Sequence, residues 1–263
     1  MVSDTQLVRK IVKVGNSAGV VLPREWLNGT ARVELVRKPL NIQKDVLEIF
    51  EPYLEDVVGV YLTGSYAREE ETEKSDVDVL VITNKIGKTI EEGKYSIGLV
   101  PKASVERALE NNAMMILPRV KEAKALINKE LIEKYKKTEL TRKNLKSYFD
   151  IVGSGMKVND SFLKIAEEDK DKLGDGNAYS LILNLRTVYM IDCIIKNKMW
   201  TNKELLSLIR KLYGNLEIYE GYLRSKTDLK WKDVIEVEGA RKVYEYIIKK
   251  LEEHKRWLKA RKE

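Results

Sequence analysis

The chain is poor in the residues that most often carry metal or acid–base chemistry: one cysteine and one histidine in 263 residues. A lone Cys193 excludes an internal disulfide framework and fits a reducing cytoplasm. A lone His254 excludes His-rich zinc sites, Ser-His-Asp triads and HD-type phosphohydrolase sites. It also disfavours a ribonuclease built on Arg-x₄₋₆-His, since no arginine precedes it at that distance. On this reading His254 is a solvated residue of a basic C-terminal helix. No apolar run approaches membrane-spanning length, and the first residues lack a signal-peptide pattern. The expectation is a cytoplasmic protein with no membrane partner. There is no internal repeat or low-complexity tract.

What is present is charge. Apolar residues make up 43%, enough for a core, and charged residues 34%, well above the usual quarter. Two glutamines against many Lys, Glu and Ile give a thermophile-like bias. The net charge of +7 is unevenly spread. Residues 1–40 hold 7 basic and 3 acidic side chains, residues 41–118 hold 8 and 15, and residues 119–263 hold 33 and 23. The acidic middle suits cations, and the basic flanks suit a polyanion.

The middle contains the most informative stretch, residues 57–83, VVGVYLTGSYAREEETEKSDVDVLVIT. Its β-branched start reads as a buried strand over 57–62. Gly64-Ser65 breaks the run, a helical turn follows, and a second strand covers 76–83. Strand alternation places Asp76 and Asp78 on one face. Two like charges so close call for a cation, and Mg²⁺ takes one or two carboxylates with phosphate oxygens and water. Gly64 lets backbone approach closely, and the amides at the helix start, with the Ser65 hydroxyl, can hold a phosphate.

Gly-Ser followed by Asp-x-Asp on a strand resembles the signature of DNA polymerase β-like nucleotidyltransferases, and most of all their minimal branch, GS-x-A-R-G-E before S-D-x-D-L. Gly64, Ser65, Ala67, Arg68, Ser75, Asp76, Asp78 and Leu80 match; Glu69 stands where the family has glycine. The resemblance implies Asp76 and Asp78 as catalytic metal ligands, with Gly64, Ser65 and Arg68 on the nucleotide. Arg68 otherwise pairs with the acids of 69–73, and Lys74 is a solvated loop charge. The family carries a third carboxylate on the next strand, placed here at 94–101. That position becomes Gly98, so either another acid substitutes or the site is degenerate.

RKIVKVGNSAGVVLPREWLNGTARVELV, within residues 6–37, resembles the AbrB/MazE swapped-hairpin domain through Val14, Gly15, Asn16, Ser17, Gly19, Leu22 and Pro23. Strands are expected over 6–14, 20–22 and 31–37. The resemblance implies a homodimer and, in many members, DNA binding. Arg9, Lys10, Lys13 and Arg24 are then either DNA contacts or solvated edge-strand charges.

The expected fold class is α+β: a β-hairpin module at 1–38, a linker at Arg37-Lys38-Pro39, a nucleotidyltransferase-type mixed sheet with helices at 41–118, and a helical bundle at 119–263. Helices are expected over 42–55, 104–112, 119–137, 143–169 with a break at 153–155, 178–196, from Thr201, 231–234 and 238–261. Within the apolar fifth of these, Arg186 either pairs with an acid such as Asp192 or faces the cleft. This layout resembles kanamycin-type and HEPN-linked nucleotidyltransferases. Together the resemblances imply Mg²⁺-dependent transfer of NMP from an NTP, with ATP the first candidate, to a protein, RNA or small-molecule acceptor in a toxin–antitoxin-like setting. The alternative is a DNA-binding, nucleotide-sensing regulator with a degenerate site.

Overall fold

The computed structural model describes residues 7–36, 40–73, 75–227 and 230–261. The expected linker at Arg37-Lys38-Pro39 and the loop residue Lys74 lie outside them. The fold is mixed α/β and divides into two units, Met1–Asn41 and Ile42–Glu263.

In the first unit, β1 (Ile11–Val14) and β2 (Ser17–Val20) pair antiparallel, with Val14 opposite Ser17 and Gly15 in the turn at φ +57°. Gly15 supplies the left-handed conformation that so tight a connection demands. One 3₁₀ turn, Arg24–Trp26, follows Pro23. The strand expected over 31–37 does not form across 31–36, and β2 ends before Val21. None of the described residues 7–36 is buried; Val8, Val33 and Val36 are all more than 70% exposed. A hairpin with its apolar side chains in water has no partner strand to extend against.

The second unit begins with α1 (Ile42–Ile49), which buries Val46; Phe50 follows it into the core. The helix expected to reach residue 55 stops early and continues as a 3₁₀ segment, Glu51–Asp56, because Pro52 has no N–H for the α-helical ladder. β3 (Val57–Leu62) leads through α2 (Gly64–Arg68) to β4 (Val77–Thr83). β5 (Lys88–Glu92), β6 (Tyr95–Pro101) and β7 (Lys124–Ile127) complete a sheet of order β5-β6-β4-β3-β7. β4 and β6 run parallel, and the other pairs are antiparallel. One face carries Val77, Val79 and Val81 against α1; the other carries Leu80 and Ile82 into the larger core.

β7 overturns the single helix expected over 119–137. The chain instead forms α4 (Leu117–Glu122), then β7, then α5 (Lys129–Lys136), after α3 (Lys102–Asn111). Helix propensity favours that stretch, but the open edge of β3 offers a ladder of backbone partners. The corner is fixed by Asn128, at φ +61°, whose side chain accepts from Leu131 N and donates to Val58 O at 2.9 Å.

Beyond lie α6 (Lys146–Asp169), α7 (Asp175–Ile195), α8 (Asn202–Tyr213), α9 (Glu217–Lys226) and α10 (Val237–Ala260). α6 runs through Gly153-Ser154-Gly155 without the expected break. Gly155 sits where a Cβ would meet Asn184 of α7 at 3.3 Å, so it serves close helix packing. Residues 233–235 form a strand, β9, paired with β8 (Leu173–Gly174), in place of a helix at 231–234. α7 is long and apolar enough to cross a membrane by length and composition; here Leu181, Leu185, Val188 and Ile191 are buried in the bundle. One apolar core runs from Tyr61 and Leu80 of the sheet to Leu258 of α10.

His254 is not solvated. It is 2% exposed, its Nδ1 shares a hydrogen bond with the Tyr148 hydroxyl (2.8 Å) and its Nε2 with Asp192 Oδ1 (3.0 Å). Asp192 also pairs with Lys250 at 2.8 Å and Lys196 at 3.3 Å. Despite burial, the hydrogen bonds from His254 and Lys250 hold its carboxyl well below the usual range. No pairing between Asp192 and Arg186 is present.

Candidate active site

The site is built where β3 meets α2. As the chain leaves β3, Thr63 N donates to Asp78 O at 2.8 Å and Thr63 Oγ1 to the same oxygen at 3.3 Å. This fastens the turn to the backbone of β4. Gly64 follows with φ +68°, and a Cβ there would lie 2.1 Å from Asp78 Oδ2. The glycine backbone and the aspartate carboxylate are therefore in direct contact, and no other residue fits.

Asp76 lies exposed just before β4, and Asp78 is half-buried on it. Burial raises the Asp78 carboxyl above its ordinary value, with Arg119 opposing and Glu122 and Asp76 adding to the rise. Among the described residues Ser65 Oγ has no hydrogen-bond partner. Glu69 adopts φ +59°, ψ +37°, a left-handed conformation. That explains the family's glycine at this position; here Glu69 is tied to Lys124 Nζ at 2.6 Å.

Glu122, at the end of α4, joins these residues. Its Oε1 accepts from Gly64 N at 2.8 Å and its Oε2 accepts from Arg68 Nη1 at 2.5 Å. Both side chains are nearly enclosed, at 7% and 6% exposure. Arg68 also reaches Glu70 at 3.0 Å, and Glu70 accepts from Asn202 N at the start of α8 (2.8 Å). Burial works against the Arg68 charge, yet the bonds to Glu70 and Glu122 hold its pKa above the ordinary value. The groups assigned to phosphate by resemblance, Gly64 N–H and Arg68, thus already bind an anion, a carboxylate of the protein itself. No sequence signal marks Glu122, because the helix expected over 119–137 hides the end of α4.

Parallel pairing sets Asp78 beside Ser96 and Leu80 beside Gly98. Gly98 therefore lies on the Asp78 face, as the expected position of a third carboxylate should. A Cβ at Gly98 would meet Arg119 Nη1 at 3.6 Å and Nη2 at 3.8 Å. A guanidinium covers the position where an acid would be needed. Among the described residues no group of three or more His, Cys, Asp or Glu is disposed to hold a metal ion. Asp76 and Asp78 are the donor type that a hard divalent cation takes alongside phosphate oxygens and water.

Arg9, Lys10, Lys13 and Arg24 belong to the other unit and are all exposed, with Lys13 on β1.

Residues 42–152 match the family model of the nucleotidyltransferase domain. No curated protein matches the chain significantly. Among solved structures, the chain is similar to a nucleotidyltransferase-like protein from Exiguobacterium sibiricum at 14% identity, with 81% of this chain and 75% of that chain covered and a TM-score of 0.37. It is also similar to spectinomycin adenyltransferase from Enterococcus faecialis, solved with ATP and spectinomycin, at 15% identity, 80% and 98% coverage and a TM-score of 0.41.

Proposed function

We propose that residues 42–263 bind an NTP at the Gly64–Asp78 junction and transfer its NMP to an acceptor hydroxyl. The observation behind this reading is the contact between the Gly64 backbone and the Asp78 carboxylate: an anion taken by the Gly64 N–H would lie beside an acid able to hold a cation. Mg²⁺ held by Asp76 and Asp78 would offset charge on the phosphates. Gly64 N–H and the Ser65 hydroxyl would hold the triphosphate. The acceptor oxygen attacks the α-phosphorus, the bond from that phosphorus to the bridging oxygen of the β-phosphate breaks, and pyrophosphate leaves with the electron pair. The acceptor proton passes to solvent. The acceptor class we favour is a protein or RNA hydroxyl in a toxin–antitoxin-like setting. The hairpin unit would pair with a second copy of itself, since none of its described residues is buried alone, and would offer Arg9, Lys10, Lys13 and Arg24 to DNA.

An NTP reaching Gly64 must displace the Glu122 carboxylate. Glu122→Gln keeps the shape but removes the charge, weakening its hold by about 1 kcal/mol. NTP affinity, measured by calorimetry with Mg²⁺, is expected to rise about fivefold.

Transfer itself is tested with α-³²P-labelled ATP, CTP, GTP and UTP, Mg²⁺ and mixed cell extract. Label on protein or RNA with wild type, absent with Asp76→Asn/Asp78→Asn, supports the reading. NTP binding without transfer would favour a second one: a DNA-binding regulator that senses a nucleotide through a degenerate site. Gly98 is the observation behind that alternative.

A further inference from the structure

Arg119 is the least explained charge near the site. It is half-buried, it extends from α4 over Gly98, and among the described residues it makes no hydrogen bond or ion pair. Every other charged side chain lining this junction has a role on the page. Arg68 is bound by Glu122 and Glu70, and Glu122 is bound by Gly64 N–H and Arg68. The Arg119 charge attracts the Asp78 carboxylate, but among the described residues its N–H groups are bonded to no acid, which leaves them to donate to an arriving anion. Arg119 and Glu122 lie three residues apart on one helix, so they share a face and meet the same cleft.

The register says where that anion would sit. Gly98 is beside Leu80 on the parallel strand, two residues along the same face from Asp78. The space left by the missing Gly98 side chain is filled by the guanidinium at ordinary contact distance. A triphosphate carries more charge than one divalent cation offsets, and a planar guanidinium donates to two phosphate oxygens at once. We propose that Arg119, lying over Gly98 on the face that carries Asp78, is a phosphate-binding residue that takes the place of a second divalent cation, so that the site holds an NTP with one metal ion and one arginine. This rests on the NTP reading above and concerns how the phosphates are held.

The test uses the full chain, a non-transferable NTP analogue with a methylene bridge between its α- and β-phosphates, and two readouts. Calorimetry with Mg²⁺ gives affinity, and electron paramagnetic resonance with Mn²⁺ counts metal ions bound per chain with the analogue present. Arg119→Ala is expected to weaken the analogue roughly 10–100-fold. Arg119→Lys is expected to restore part of that loss, because a point charge replaces the fork. Wild type is expected to bind a single Mn²⁺ with the analogue. Gly98→Asp/Arg119→Ala restores an acid where the glycine leaves room, and is expected to bind two. Among the described residues Arg119 makes no hydrogen bond or ion pair and only attracts Asp78 electrostatically, so Arg119→Ala should shift the unfolding midpoint little, which separates lost binding from lost structure.

Asp76- and Asp78-dependent analogue binding that is indifferent to Arg119→Ala overturns the inference while the NTP reading stands. So do two Mn²⁺ in wild type. No analogue binding by wild type under any condition overturns both.

Discussion

Gly64→Ala is expected to abolish NTP binding and to lower stability by about 2–4 kcal/mol. Two separate effects act at this position. The backbone sits at φ +68°, where an L side chain costs roughly 1–2 kcal/mol. The new methyl would also lie 2.1 Å from Asp78 Oδ2, 2.9 Å from its Cγ and 3.0 Å from its Cβ. Either Asp78 turns away from Gly64 or the first turn of α2 moves, and both disrupt the contact that defines the site. Gly93 provides the control. It has φ +59° but open space where a Cβ would be, so Gly93→Ala carries the backbone cost alone. Chemical denaturation of both variants, with calorimetric NTP titration, separates the terms. Equal losses of stability and retained binding in Gly64→Ala would show that Asp78 does not depend on the glycine.

The largest effect on the fold itself is expected at Arg224. Asp175 opens α7 with a fully buried carboxylate that accepts from Arg224 Nε at 2.8 Å, Arg224 Nη2 at 2.6 Å and Lys232 N at 3.0 Å. This one acid joins α7, α9 and the strand before α10. Arg224→Ala leaves a buried charge without its cation, at a cost of about 3–5 kcal/mol. For a unit of this size the thermal midpoint should fall on the order of 10 °C. The hydrogen bonds from Arg224 hold the Asp175 carboxyl below its ordinary range. Its stabilising contribution is therefore complete above an unfolded value near ~3.9 and is lost as the pH falls through the lower folded value. Wild type should lose stability over that acid range more steeply than Arg224→Ala. Thermal unfolding of both proteins from neutral to acid pH reads this directly, and parallel pH curves would refute it.

The strand–turn–strand frame of the site was legible because its signals are local. A β-branched run, a Gly-Ser break and alternating aspartates each follow from a few neighbouring residues, and β3, α2 and β4 formed close to where they were expected. Gly98 lies on the sheet face that carries Asp78. Glu122 and Arg119 were not legible as site residues. Lysine, alanine and glutamate around them favour a long helix, and only pairing of β7 with the edge of β3 ends α4 where these two side chains meet the turn. That is a tertiary effect with no local trace. The burial of His254 has a signal in the sequence, which its basic neighbours mask. Val243, Ile247, Leu251, His254 and Leu258 recur at helical spacing, which puts the histidine on the buried stripe of α10. The hairpin unit is the reverse case: the turn expected over 15–19 and the strand expected over 20–22 give way to β2 at Ser17–Val20, because Gly15 lets the chain reverse within two residues, and no third strand forms across 31–36.

The most direct test is calorimetric titration of NTP with Mg²⁺ into wild type and into Asp76→Asn/Asp78→Asn. Saturable binding by wild type that the double variant loses is the result expected of phosphates held at the junction these carboxylates share with Gly64. Equal binding by both proteins would place the nucleotide elsewhere and contradict the account.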